Sequence, residues 1–117
     1  MILCVVDDLM FSMKISTAAK AQQAPLAFER PAANVVERVR TERPSLVIFD
    51  LNSAKLRPFD AIAAIKSDPE LQHTRTLGYV SHVDATAIAS ARSAGIDEVL
   101  ARSAFSERLP DILSAAS

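Results

Sequence analysis

Two unbroken apolar runs, each ending in acid, organise the chain. Leu46, Val47, Ile48 and Phe49 follow one another with no polar residue between them and stop at Asp50. The run Ile2–Val6 does the same and stops at Asp7 and Asp8. Short uninterrupted runs predict strands covered on both faces, whereas a half-solvated strand would alternate. After Asp8 the period lengthens: Phe11, Ile15, Ala18 and Ala19 stand at i, i+4, i+7 and i+8 and predict an amphipathic helix to about Gln23. Pro25 opens a short strand at Leu26–Phe28 that Pro31 closes, and Val35, Val36 and Val39 mark a second helix ending before Pro44.

The second half repeats the alternation. Pro58 suits the first turn of a helix whose inner face is Phe59, Ile62 and Ile65, and Asp68-Pro69 ends it. A strand is predicted around Leu77–Val80, then an alanine-rich helix from about Asp84 to Ala94, capped by Gly95. Glu98–Ala101 reads as a last strand, and Phe105, Leu109, Ile112 and Leu113 as the stripe of a last helix. Strand and helix alternate five times with connections long enough for parallel pairing. That order predicts an open α/β sandwich with helices on both faces. In such sheets ligands gather at the carboxyl ends of the strands, where Asp7, Asp8 and Asp50 would converge.

Composition narrows the picture. The 117 residues suit one domain, taken as residues 1–117, with half of them hydrophobic and 23% charged, as in a packed globule. A net charge of −1 leaves no footprint for nucleic acid. No apolar run approaches the roughly 20 residues of a membrane span, and no basic segment precedes Ile2, so neither a membrane anchor nor a signal peptide is expected. The single Cys4, mid-strand, reads as a buried reduced thiol, and a cytoplasmic location is expected. His73 has no cysteine or second histidine at ligand spacing, which leaves a zinc site without support.

Val5–Asp8 (VVDD), Val47–Asn52 (VIFDLN), Ser81 after the fourth strand and Ala94–Arg102 (AGIDEVLAR) together resemble the receiver domain of two-component response regulators, in the CheY-like single-domain form. The resemblance covers nearly the whole chain. It implies a flavodoxin-like (βα)5 three-layer sandwich with a parallel sheet in the order 2-1-3-4-5. It further implies transfer of a phosphoryl group from a phosphohistidine to an aspartate with Mg²⁺ beside it. Carried over by position, Asp50 matches the phosphoacceptor, Asp7 and Asp8 the metal-holding pair, and Asn52 the residue whose backbone carbonyl meets that metal. Ser81 matches the hydroxyl that meets the phosphoryl oxygen, and Arg102 stands where the family has lysine. The implied partners are a histidine kinase or phosphotransfer protein and a downstream protein docking on the face of helix 4, strand 5 and helix 5, near Arg92, Arg102, Glu107 and Arg108. A monomer or weak homodimer is expected, and no enzyme activity beyond self-phosphorylation and self-dephosphorylation.

Elementary chemistry agrees with those roles. Mg²⁺ takes oxygen donors and needs only one or two carboxylates, and it would relieve the repulsion among three clustered acids. The bland alternative is that Asp7 and Asp8 cap a helix and Asp50 is a solvated strand end. Several positions depart from the family pattern. Arg102 replaces lysine with a planar, bulkier cation that could pair with Asp50 and lock one conformation. Ser103 stands where proline usually follows, so no cis peptide is expected. Ala54 and Pro58 replace the usual proline and glycine, Val99 replaces an aromatic, and His82 a small residue. These changes favour a competing function, a pseudo-receiver that acts as a phosphorylation-independent interaction module. An aspartate-nucleophile phosphohydrolase would want a second aspartate where Asn52 stands. Flavin binding would want a phosphate loop that two glycines, Gly78 and Gly95, do not supply.

Overall fold

A computed structural model describes residues 1–81 and 84–116. Its elements run β1 (Ile2–Val5), α1 (Leu9–Ala21), β2 (Leu26–Phe28), α2 (Ala32–Glu42), β3 (Leu46–Asp50), a 3-10 turn (Ala54–Leu56) and α3 (Pro58–Ser67). They continue with β4 (Arg75–Val80), α4 (Ala85–Ala94), β5 (Glu98–Ala101) and α5 (Arg102–Ala116). All strand pairs are parallel, in the order β2-β1-β3-β4-β5. The chain therefore has the flavodoxin-like (βα)5 architecture expected of it.

The unbroken apolar runs have a simple cause. On β1, Leu3 and Val5 face a core under α2, α3 and α4, while Ile2 and Cys4 face a second core under α1 and α5. On β3, Val47 and Phe49 divide from Leu46 and Ile48 in the same way. Neither face touches water, so neither needs a polar residue. Cys4 is fully buried, and burial pushes its thiol pKa up, keeping it a neutral packing group.

The boundaries shift by a few residues, each for a local reason. The first strand ends at Val5, although Val6 stays buried. The first helix stops at Ala21, because Gln23 takes a left-handed φ of 54° and Ala24 N–H turns back to Ala19. Gly95 does cap α4, at φ 101°, donating to Ala91 and Arg92 carbonyls. In the last helix Phe105, Leu109 and Leu113 are buried as predicted, while Ile112 is only partly covered. The strand β3 carries Asp50 as its last residue, and α5 begins at Arg102 with no loop after β5. Asp50 and Arg102 are thereby held at the carboxyl ends of β3 and β5.

The opposite edge of β4 and β5 is tied by a polar latch. Asp97 Oδ2 accepts from Thr76 N–H and Oγ1 and from Lys66 Nζ, while Thr76 Oγ1 accepts from Asp97 N–H. Thr76 is the buried polar residue of the sheet, so this network satisfies groups that water cannot reach.

Candidate functional site

Each acid arrives at the sheet edge by a different local route. Asp8 is the N-cap of α1: it has extended backbone angles, and Oδ1 accepts from Phe11 N–H at 3.1 Å. Its Oδ2 accepts from Arg102 Nη2 at 2.8 Å. Those two bonds hold the Asp8 carboxyl below the usual carboxylate range, with the Arg102 bond foremost. Asp7 faces Arg30 Nε at 3.3 Å and Lys55 Nζ at 3.9 Å. The capping part of the bland alternative therefore holds for Asp8, but it leaves Arg102 over.

Asp50 differs from both. Its Oδ1 accepts from Asn52 N–H at 3.0 Å, a tight turn that folds the post-strand loop back onto the carboxylate. Among the described residues it has no cation partner. Burial, reinforced by the fields of Asp8 and Asp7, raises its pKa, and the Asn52 N–H and the nearby Arg102 charge only partly offset that. The predicted lock of Arg102 onto Asp50 is not formed; the guanidinium goes to Asp8 instead.

Aromatic packing accounts for this choice. The Arg102 guanidinium carbon lies 4.2 Å from the Phe11 ring centroid and 6.0 Å from that of Tyr79. Phe11, Tyr79 and Phe105 form one cluster with centroids 4.8 to 5.8 Å apart. The cluster walls the α1/α5 side of the site, and the cation stands over its edge.

Ser81 is engaged too. Its Oγ donates to Asn52 Oδ1 at 2.9 Å, and its N–H donates to the same oxygen. The Asn52 side chain, for which the resemblance implied less of a role than for its backbone carbonyl, thus ties the loop after β3 to the end of β4. Leu51 N–H to Tyr79 carbonyl, 3.0 Å, ties them again. The missing glycine before α3 is met by Arg57, which takes the left-handed conformation at φ 49°. His82 lies outside the described residues. No cis peptide occurs among the described residues, at Ser103 or elsewhere.

The structure brings Asp8, Asp50 and Arg102 into mutual electrostatic reach, and Ser81 onto Asn52. It removes Arg102 from the helix 4, strand 5 and helix 5 face; there Arg108 pairs with Glu98 at 3.4 Å, and Arg92 and Glu107 are exposed. Phe11, Arg30 and Lys55 escaped the sequence. Phe11 was legible only as a core position, and the other two meet Asp7 from distant loops.

The donors are the oxygens a hard cation takes, yet both Asp8 oxygens and both Asp7 oxygens already face N–H groups or cations. Among the described residues no group of three or more His, Cys, Asp or Glu could hold a metal ion. As arranged, the residues do not fit a dication.

No protein-family profile matches the chain, and no curated protein matches its sequence. Solved structures do match its fold. A response regulator from Hahella chejuensis superposes with a TM-score of 0.84 at 21% identity, over 97% of this chain and 91% of that one. The phosphorylated cyanobacterial phytochrome response regulator RcpA gives 0.78 at 23%, over 97% and 88%. The Mn²⁺-bound form of response regulator Rcp1 gives 0.75 at 19%, over 97% and 88%. The chain has the fold of response regulator receivers. No helix among the described residues is long and apolar enough to cross a membrane.

Proposed function

We propose that the chain is a two-component receiver that accepts a phosphoryl group on Asp50 and passes its state to a separate protein. The observation that carries this is the contrast among the three acids. Asp7 and Asp8 each face cations, while among the described residues Asp50 has no ion pair and keeps one oxygen outside the Asn52 turn. A carboxylate is a weak nucleophile, and an ion pair would weaken it further. With the donor's phosphohistidine protonated on its other ring nitrogen, Asp50 oxygen attacks phosphorus, the phosphorus–nitrogen bond breaks with its electron pair going to nitrogen, and neutral imidazole leaves. Arg102 charge near the transferring group, and Ser81 hydroxyl once released from Asn52, would stabilise the product acyl phosphate.

The donor in this reading is a histidine kinase or phosphotransfer protein, and the chain has no enzymatic turnover of its own beyond gaining and losing that group. The receiver reading also carries a cytoplasmic location. Mg²⁺ would enter only if Arg102 left Asp8, freeing its carboxylate beside Asp50 and the Asn52 carbonyl. The pseudo-receiver reading keeps one observation of its own: Ser81 is held by Asn52 and Arg102 by Asp8, so neither hydrogen-bonds Asp50.

Intact mass after incubation with acetyl phosphate separates the two. The parent gains one phosphoryl group, and an Asp50→Asn control gains none. A parent that stays unmodified under every metal condition leaves the interaction module as the function.

A further inference from the structure

We propose that Arg102 stands in for the divalent cation at this site, so that the acid pair is neutralised from within and phosphorylation of Asp50 needs no metal. The inference rests on the receiver reading for its chemistry, but its binding half stands alone.

Three acids and three cations meet at the sheet edge. Arg102 donates to Asp8 Oδ2 at 2.8 Å, and Arg30 and Lys55 face the two oxygens of Asp7. A recess of about 250 Å³ beside Asp7 is walled by Arg30, Pro31, Lys55 and Leu56, so an ion entering there meets two positive charges first. The remaining Asp8 oxygen is spent on the helix cap. A dication would have to displace a charge-assisted hydrogen bond and sit among like charges, while giving up part of a strongly held water shell.

Arg102 has the advantages of a tethered ligand. It opens α5 directly after β5, and its guanidinium carbon stands 4.2 Å from the Phe11 ring centroid. It therefore loses no translational freedom on binding, unlike an ion from solution. Guanidinium is also more weakly hydrated than ammonium or Mg²⁺, which favours this half-buried position. Its field already reaches Asp50, lowering the cost of the carboxylate there. When acetyl phosphate is the donor, Asp50 oxygen bonds to phosphorus and the bond to acetate breaks. Acetate leaves with the electron pair, and the charge gathered on the phosphoryl oxygens faces Arg102.

Mn²⁺ titration followed by water-proton relaxation tests the binding half, on the parent, Arg102→Ala and Arg102→Gln, each checked for folding by circular dichroism. The parent shows no saturable binding at millimolar metal, and the two variants bind saturably, at least about tenfold below the highest concentration at which the parent fails to saturate. Saturable binding by the parent overturns the inference. So does failure of both folded variants to gain affinity, because Arg102 is then not the excluding cation. Mass gain from acetyl phosphate, in EDTA beside Mg²⁺, tests the chemical half. Equal rates support the inference, and gain with Mg²⁺ alone overturns it while leaving the receiver function intact. Gain under neither condition removes the receiver function itself, and the Mn²⁺ result still decides what Arg102 does.

Discussion

Asp50 is the residue on which the fold spends stability. Its raised pKa means that the folded state disfavours the charge the unfolded chain carries freely. The sign follows directly. Below the ordinary carboxylate value of about 3.9 the acid is neutral in both states and costs nothing. As pH rises through that value toward the raised folded one, stability is lost and stays lost at neutral pH. Asp50→Asn keeps an oxygen that can accept from Asn52 N–H and removes the charge. It should therefore melt at a higher temperature than the parent at pH 7, with the gap closing in mild acid. A variant that melts lower at pH 7 would show that Asp50 is stabilised by a partner, against its proposed availability as nucleophile. The acids were legible because they end two apolar runs, Asp7 and Asp8 the first and Asp50 the second, a signal contained in a few consecutive residues. Arg30, Lys55 and the Asn52 side chain were not, since their partners lie far along the chain and only the closed sheet edge brings them together.

Among the elements, β4 and β5 depend on a polar contact that hydrophobic pattern could not foretell. Burial alone would raise the Asp97 pKa, but the Lys66 ammonium and the Thr76 donors outweigh it and hold the carboxyl low. Thr76 is 1% exposed, so its N–H has no water to fall back on. Asp97→Ala leaves three donors short of an acceptor and should cost about 1–3 kcal/mol in urea unfolding at pH 7. Because the folded pKa is depressed, the contribution is complete above the ordinary carboxylate value and fades as pH falls through the lowered one. The parent should converge on the variant in acid; a cost that is constant with pH would assign the effect to packing instead. The strands themselves were legible because both faces are covered and their apolar runs are unbroken. Their ends were less so, since Asp50 pairs with Tyr79 and Arg75 with Leu46, and such pairing depends on neighbours rather than on local composition.

Across the whole molecule, the aromatic that the resembled family has at position 99 is replaced by an aliphatic residue. Val99 on β5 has no ring to swing, whereas Phe11, Tyr79 and Phe105 join α1, β4 and α5 beneath Arg102. A phosphoryl group on Asp50 adds close to two negative charges beside a guanidinium that already senses that carboxylate. Such a group would compete with Asp8 for Arg102, whose contact with the Phe11 ring links the site to the α1/α5 side. Leu9, Met10 and Met13, the exposed large hydrophobics among the described residues, lie at the start of that same α1. Tyr79 is the one tyrosine, and the chain has no tryptophan, so intrinsic emission reports this cluster alone. Acetyl phosphate should change Tyr79 emission in the parent and leave it unchanged in Asp50→Asn, with mass spectrometry run on the same samples. Full phosphorylation with constant emission would place the signal elsewhere, on the β3–β4 side where Ser81 and Asn52 are joined. A change that tracks the phosphorylated fraction would make α1 and α5 the surface on which to look for the partner.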